Sequence, residues 1–336
     1  MWHWEDIDRD YLLGQPILVS KEKVVDAFNL VDELLGKKWI NRNFTNKVGP
    51  LPTLSVVVMG EMLKIIKSCK GANNLIDKLK NDDRSAKSEI ESIFIVSPSE
   101  IDVEIEPEVS IRNTKRMPDF RIKKNNQDWV YVEVTSPNTS ERNVLIQVIM
   151  NQITCNIETL QESTSVDILL DRDPSAEEIE QIIDKIKTLS RNNKPNEYSL
   201  SDLGRVEINM SQPGQIVTKN YGEIKRSRLG MATTIVENGI PKHISVRIPF
   251  LDDRADSFIT SEAKQLPKNE IGLIMIDMNQ AVAGFKEWEE LILRRFQPEQ
   301  HTRVSGVCMF RSAYEAINNH IDWKLETYLI ENKYAI

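Results

Sequence analysis

Cysteine is scarce in this 336-residue chain, which carries only Cys69, Cys155 and Cys308, odd in number and far apart. That excludes a disulfide framework and any Cys-x-x-Cys metal knuckle, and it suits buried or half-buried thiols in a reducing compartment. The four histidines, His3, His243, His301 and His320, show no metal-ligand spacing. Thirteen glycines and fourteen prolines are too few for a fibrous or low-complexity chain. The longest strongly apolar runs, such as Ile271–Met278, fall far short of the ~20 residues that a membrane-spanning helix needs. Positive charge is not in excess either: 43 Lys and Arg stand against 51 Asp and Glu, for a net charge of -8. This argues against coating nucleic acid by bulk electrostatics, though not against a local basic groove. There is no Walker-type or dinucleotide-binding glycine loop and no Gly-x-Ser-x-Gly elbow. The opening residues, Met1-Trp-His-Trp-Glu-Asp, are polar and acidic where a secretory leader is basic and then apolar, so a cytoplasmic protein is expected.

What the chain does have is a globular balance, 40% hydrophobic and 28% charged, over a length that suits one large domain or two ordinary ones. Residues 1–84 read as a helical region. Lys23–Leu35 sets Val24, Phe28, Val31 and Leu35 at helical spacing, with Gly36 as a stop. A second apolar helix runs from Leu54 to Ile66 after a loop over Asn41–Pro52, and Ser88–Val96 carries a short amphipathic piece.

From residue 101 the period changes to two. Ile101, Val103 and Ile105 alternate with acids, Met117–Ile122 opens a strand behind proline, and Trp129–Thr135 is rich in aromatic and branched residues. A helix over Glu141–Gln161, capped by Asn138 or Ser140, and a strand over Val166–Leu170 follow. Beyond them strands and helices alternate: helix Ser175–Leu189, strands near 206–210, 233–236 and 244–248, helix Ser257–Leu266, strand Ile271–Met278, helix Phe285–Phe296 and strand Arg303–Arg311. Tyr314–Leu329 reads as a closing helix. The expectation is an α/β protein, a mixed sheet flanked by helices, with residues 85–336 as one domain and no separate second domain.

The chemistry-bearing stretch is Pro118-Asp119 … Glu133-Val134-Thr135. Asp119 starts one strand and Glu133 ends the next, so an antiparallel hairpin brings the two carboxylates together. Paired carboxylates are hard oxygen ligands for Mg²⁺, with Mn²⁺ as a substitute, and the Val134 carbonyl is a third oxygen within reach. The bland alternative is two ordinary strand-end acids, solvated or paired with Arg121 or Lys123.

This pattern resembles the PD-(D/E)XK phosphodiesterase superfamily, which includes type II restriction endonucleases and DNA repair nucleases. The resemblance covers about residues 85–172: a helix, three strands with the motif on the second and third, a helix, then a strand. It implies a restriction-endonuclease-like core and metal-dependent hydrolysis of nucleic acid, with DNA ahead of RNA, in an assembly that is often a homodimer. It implies Asp119, Glu133 and Val134 as metal ligands, with Glu89 (or Glu91) as a further acidic ligand from the preceding helix. Gln147, on the helix after the third strand, falls where related nucleases place a glutamine near the site.

The departure is Thr135, which stands where the superfamily has a lysine that orients the attacking water. Threonine carries no charge and is no base near neutral pH. Alternation sets Asp119, Arg121 and Lys123 on one face, so Lys123 or Arg121 is the candidate replacement cation, unless both are simply solvated. Without such a cation the chain is instead a catalytically inactive, nuclease-like module that binds nucleic acid or protein. Lys219–Arg228 is the most basic segment, able to contact phosphates while Tyr221 stacks on a base, or to remain a solvated loop.

Overall fold

The computed structural model describes residues 1–7, 19–44, 50–81, 83–97, 101–111, 114–125, 127–137, 141–157, 164–190, 196–210, 228–237, 240–249, 254–281, 284–317 and 320–335. Lys219–Ser227, and the proposed caps Asn138 and Ser140, lie outside the described residues. In chain order the elements are α1 (Trp4–Ile7), α2 (Lys21–Leu35), α3 (Lys37–Asn43), α4 (Pro50–Ile66), α5 (Ala72–Lys80), α6 (Arg84–Val96), β1 (Ile101–Ile105), β2 (Val109–Ile111), β3 (Thr114–Arg116), β4 (Phe120–Lys124) and β5 (Val130–Thr135). Then come α7 (Glu141–Ile157), β6 (Thr164–Leu170), α8 (Ala176–Ser190), β7 (Asn196–Ser199), β8 (Gly204–Met210), β9 (Arg228–Glu237) and β10 (Ile240–Pro249). The last are α9 (Arg254–Glu262), β11 (Ile271–Asp277), α10 (Phe285–Arg295), β12 (Gly306–Ile317) and β13 (His320–Glu331).

The chain is a mixed α/β protein with an N-terminal helical region, and it divides into two compact units, Met1–Pro137 with Asp253–Ile336, and Asn138–Asp252. This is a different division from helices 1–84 followed by one domain over 85–336. Hydropathy marks a segment as strand or helix, but it does not say which sheet the strand joins. No helix among the described residues is long and apolar enough to cross a membrane.

The first unit holds a six-stranded sheet in the order β1-β4-β5-β11-β12-β13. The β5–β11 and β11–β12 pairs are parallel, and the others antiparallel. The helical region packs with it into one core: Phe120, Val132, Met275 and Phe310 of the sheet share a cluster with Phe28, Val31, Leu63, Ile90 and Ile93. Helix α2 begins where the Ser20 side chain accepts from the Lys23 N–H, and it buries Val24, Ala27, Phe28, Val31 and Leu35 along one stripe. Residues 314–317 and 320–329, expected as helix, lie instead in the antiparallel pair β12 and β13. The reason is legible after the fact in Ile321, Trp323 and Leu325, which alternate with Asp322, Lys324 and Glu326 at period two.

In the second unit α7, expected beside the motif strands, packs with α8, β9 and β10. Strand β6 lies in the middle of the sheet β7-β8-β6-β10-β9, not in the sheet that carries the motif. Residues 85–172 are therefore not one unit as expected: α6, β1, β4 and β5 belong to the first unit, where α9 and β11 pack against β5, and α7 and β6 belong to the second. Helix α8 starts with a reciprocal box, in which Ser175 Oγ accepts from the Glu178 N–H at 3.2 Å and the Glu178 carboxylate accepts from the Ser175 N–H at 2.8 Å.

The start of α5 is fixed against the sheet. Before that helix the chain docks beside β1: the Lys70 N–H donates to the Val103 carbonyl (3.3 Å), and the Ile105 N–H donates to the Lys70 carbonyl (2.8 Å). Gly71, at φ +87°, then turns the chain into α5, and a Cβ there would fall 2.6 Å from the Ile105 carbonyl oxygen. Gly36 has a similar φ of +84° but open space around it. Gly71→Ala is thus expected to destabilise the protein by about 2–4 kcal/mol, and Gly36→Ala by only about 1 kcal/mol. Equal losses for both in urea denaturation would contradict this packing.

Candidate active site

Asp119 and Glu133 meet because of the β4–β5 register. Phe120 pairs with Val132, Arg121 with Tyr131 and Ile122 with Val130, so one further step sets Asp119 opposite Glu133. Residues directly opposite in an antiparallel pair project to the same face. The step after that sets Pro118 opposite Val134. Proline has no N–H, so the ladder cannot continue, and the Asp119 carboxylate takes its place by accepting from the Val134 N–H at 2.6 Å. The N–H and C=O of one strand residue point to the same edge, which aims the Val134 carbonyl toward Asp119 as well. The Asp119 main chain is fixed in turn: its carbonyl accepts from the Glu106 N–H at 2.8 Å.

Glu133 is 2% exposed and Asp119 is half-buried, and the two carboxyl groups are near enough for each to act on the other. Both are pushed above the ordinary carboxylate range, Glu133 the further, by burial first. For Glu133 the nearby charge of Asp119 adds to that, then the charge of Glu262 on α9. At neutral pH such a pair holds one proton between its members.

Glu89, from α6, is 3% exposed and is pushed up to about 7, by burial and then by the charge of Asp119, with Lys78 opposing. Two carboxylate oxygens here, Glu89 Oε2 and Glu133 Oε1, are buried without a hydrogen-bond partner. Lys78 of α5 is the cation: its Nζ lies 2.7 Å from Glu106 Oε1 and 3.8 Å from Glu89 Oε2. Burial works against its charge, but the hydrogen bond to Glu106 and the charges of Glu89, Glu106 and Asp119 outweigh this and raise its pKa.

Other sequence candidates fall elsewhere. Arg121 is engaged with Glu104, its Nε donating at 2.8 Å, and lies over the Trp129 ring at 4.3 Å. Lys123, with Nζ 5.8 Å from the same ring, is four residues along β4 from Asp119, or about 13 Å at the usual rise per residue. Neither supplies the missing motif cation, which corrects that expectation. Thr135 ends β5, half-buried, two residues past Glu133 and so on the same face. Gln147 is exposed on α7, which belongs to the second unit and not to the one that holds the carboxyl pair. Glu91 accepts from Ser312 Oγ at 3.3 Å, apart from the carboxyl pair. Of the cysteines, Cys308 is buried and Cys69 half-buried, but Cys155 is exposed, against expectation. Asp277, at the end of β11, caps a turn by accepting from the Asn279 N–H at 2.8 Å.

Lys78 and Glu262 were missed. Within Ala72–Lys80 the lysine reads as a wet-face residue of an amphipathic helix, and Glu262 as one of several polar residues at a helix end. No sequence signal separates them from their neighbours.

The donor set suits a hard divalent cation. It holds two buried carboxylate oxygens without partners, a proton that an ion could replace, and a backbone carbonyl on the same edge. Among the described residues no three His, Cys, Asp or Glu side chains already form a cage for an ion. Mg²⁺ characteristically takes one or two carboxylates and keeps several waters, so it needs no such cage. Comparison with protein-family models, with curated proteins and with solved structures finds no match to this chain.

A carboxyl raised above its unfolded value near 4.5 contributes stability fully below that value, and the contribution is lost as pH rises through the folded value. Metal-free protein is therefore expected to lose stability between about pH 5 and about pH 10. Glu133→Gln removes most of that loss and is more stable than wild type at alkaline pH by on the order of 1 kcal/mol. Parallel melting-temperature profiles for the two proteins would contradict a shared proton.

Proposed function

We propose that this protein is a metal-dependent nuclease that hydrolyses phosphodiester bonds of nucleic acid. The observation that carries the reading is the meeting of Asp119 and Glu133 across the β4–β5 hairpin, beside Glu89 and Lys78. The succession α6, β1, β4, β5, α9, β11 adds support, since it repeats the helix, three strands, helix and strand of the resembled core, with the second unit inserted after β5.

Asp119 and Glu133, with the Val134 carbonyl, would hold Mg²⁺ or Mn²⁺, which when bound polarises a phosphoryl oxygen and makes a water more acidic. The Val134 N–H keeps one Asp119 oxygen in place, so that the carboxylate does not rotate when its proton leaves. Glu89, pushed up to about 7 by burial, is suited to take a proton from the attacking water at Oε2, which has no hydrogen-bond donor of its own and faces the Lys78 ammonium at 3.8 Å. Lys78 balances the phosphate charge from α5, in the role that the superfamily gives to the lysine replaced here by Thr135.

Thr135 favours a second reading, a module that binds metal or nucleic acid without cutting it. The two separate in one assay series, on single- and double-stranded DNA and on RNA with Mg²⁺ or Mn²⁺. For the nuclease, Asp119→Ala and Glu133→Ala abolish cleavage, and Lys78→Ala lowers kcat by roughly 10²–10³-fold. Binding that persists with no cleavage in wild type selects the module, and cleavage that survives in both carboxylate variants removes this site from the reaction.

A further inference from the structure

Two residues beyond Glu89, α6 carries a second buried carboxyl that the proposed hydrolysis does not use. Glu91 is 2% exposed, and its polar neighbours all stand off: Ser312 Oγ at 3.3 Å, Asn279 Nδ2 at 3.5 Å and Lys87 Nζ at 3.7 Å. A charge-assisted hydrogen bond normally closes to about 2.7–2.9 Å. Lys87 is paired with Glu91 across 3.7 Å and lines the same cavity of about 240 Å³, but with its side chain 59% exposed this ammonium is free to turn out to solvent and yield its place.

The walls are unusual for an acid. Trp39 of α3, Met59 and Met62 of α4, Tyr314 of β12 and Trp323 of β13 line the space, and so does a second acid, Asp83, beside Lys87. The Trp323 ring is set edge-on by Phe94, with centroids 5.8 Å apart. The carboxyl is held from behind, where Asn279 Oδ1 accepts from the Ser312 N–H at 2.9 Å. All of these residues belong to the first unit.

We propose that this cavity is a binding site for a small organic cation such as an alkylammonium or guanidinium. Aromatic faces and thioether sulfurs attract a cation with a diffuse charge, and the Glu91 carboxylate supplies the counter-charge. An anion would be repelled by Glu91. A neutral apolar ligand would gain nothing from the two acids of the lining, Glu91 and Asp83. Among the described residues no three His, Cys, Asp or Glu side chains gather into a cage for a metal ion. The volume lies below the ~300–1,000 Å³ of drug-sized pockets, which limits the ligand to a fragment-sized molecule. The site does not rest on the nuclease reading.

The test titrates the whole chain with choline, butylammonium and methylguanidinium, each beside a neutral isostere (3,3-dimethylbutanol for choline). Tryptophan fluorescence and calorimetry read binding. At least one cation is expected to saturate below about 10 mM and to bind at least about tenfold tighter than its isostere. Glu91→Gln weakens that cation at least about tenfold, and Trp323→Leu does the same from the opposite wall. With both variants measured, a folding defect in one does not shelter the proposal. It is overturned if no cation saturates, if a neutral isostere binds equally well, or if whichever variant folds binds like wild type.

Discussion

A β-hairpin that runs out of ladder at Pro118 brings two acids into one buried place, and much of the first unit is arranged around the cost of doing so. Burying two carboxylates side by side is unfavourable unless they share a proton or meet a cation. Here burial and their mutual charge push both above the ordinary carboxylate range, which favours a shared proton, and the Val134 N–H holds one of them where the ladder stops. The elements around the pair each bring charge to it. Helix α6 brings Glu89, α9 brings Glu262, and α5 brings Lys78, anchored by the Gly71 turn against β1. The helical region is thereby part of the site and not an appendage to it.

The electrostatics of this region run against folding and toward ligand binding. Among the described residues acids outnumber the ammonium of Lys78, and two carboxylate oxygens are buried without a hydrogen-bond partner. Such local frustration is common where a protein is organised to receive something positive. The overall charge of -8 gives no hint of this, because the arrangement depends on position and not on the total.

The period-two segments at 101–105 and 130–135, and the amphipathic helices around Val24–Leu35 and Ile179–Leu189, were legible because each has one face toward a core. The meeting of Asp119 with Glu133 was legible too, since hairpin register follows from local sequence. Three things were not. Tyr314–Leu329 holds aromatic and branched residues close enough to helical spacing to mask its alternation. The joining of β11 to β5, across the whole second unit, is a long-range choice that no local pattern encodes. Lys78 lies on an ordinary amphipathic helix, and only the fold of the turn before it turns that lysine toward the acids.

If the carboxyl pair holds a proton that a divalent cation replaces, binding must release it. Calorimetric titration of Mg²⁺ or Mn²⁺ at neutral pH, in two buffers of different ionisation enthalpy, measures that release directly. About one proton freed per ion is expected for wild type, with loss of binding in Asp119→Asn and Glu133→Gln. Binding without proton release, or binding left intact in both variants, would place the cation elsewhere and leave the pair a structural feature of the hairpin.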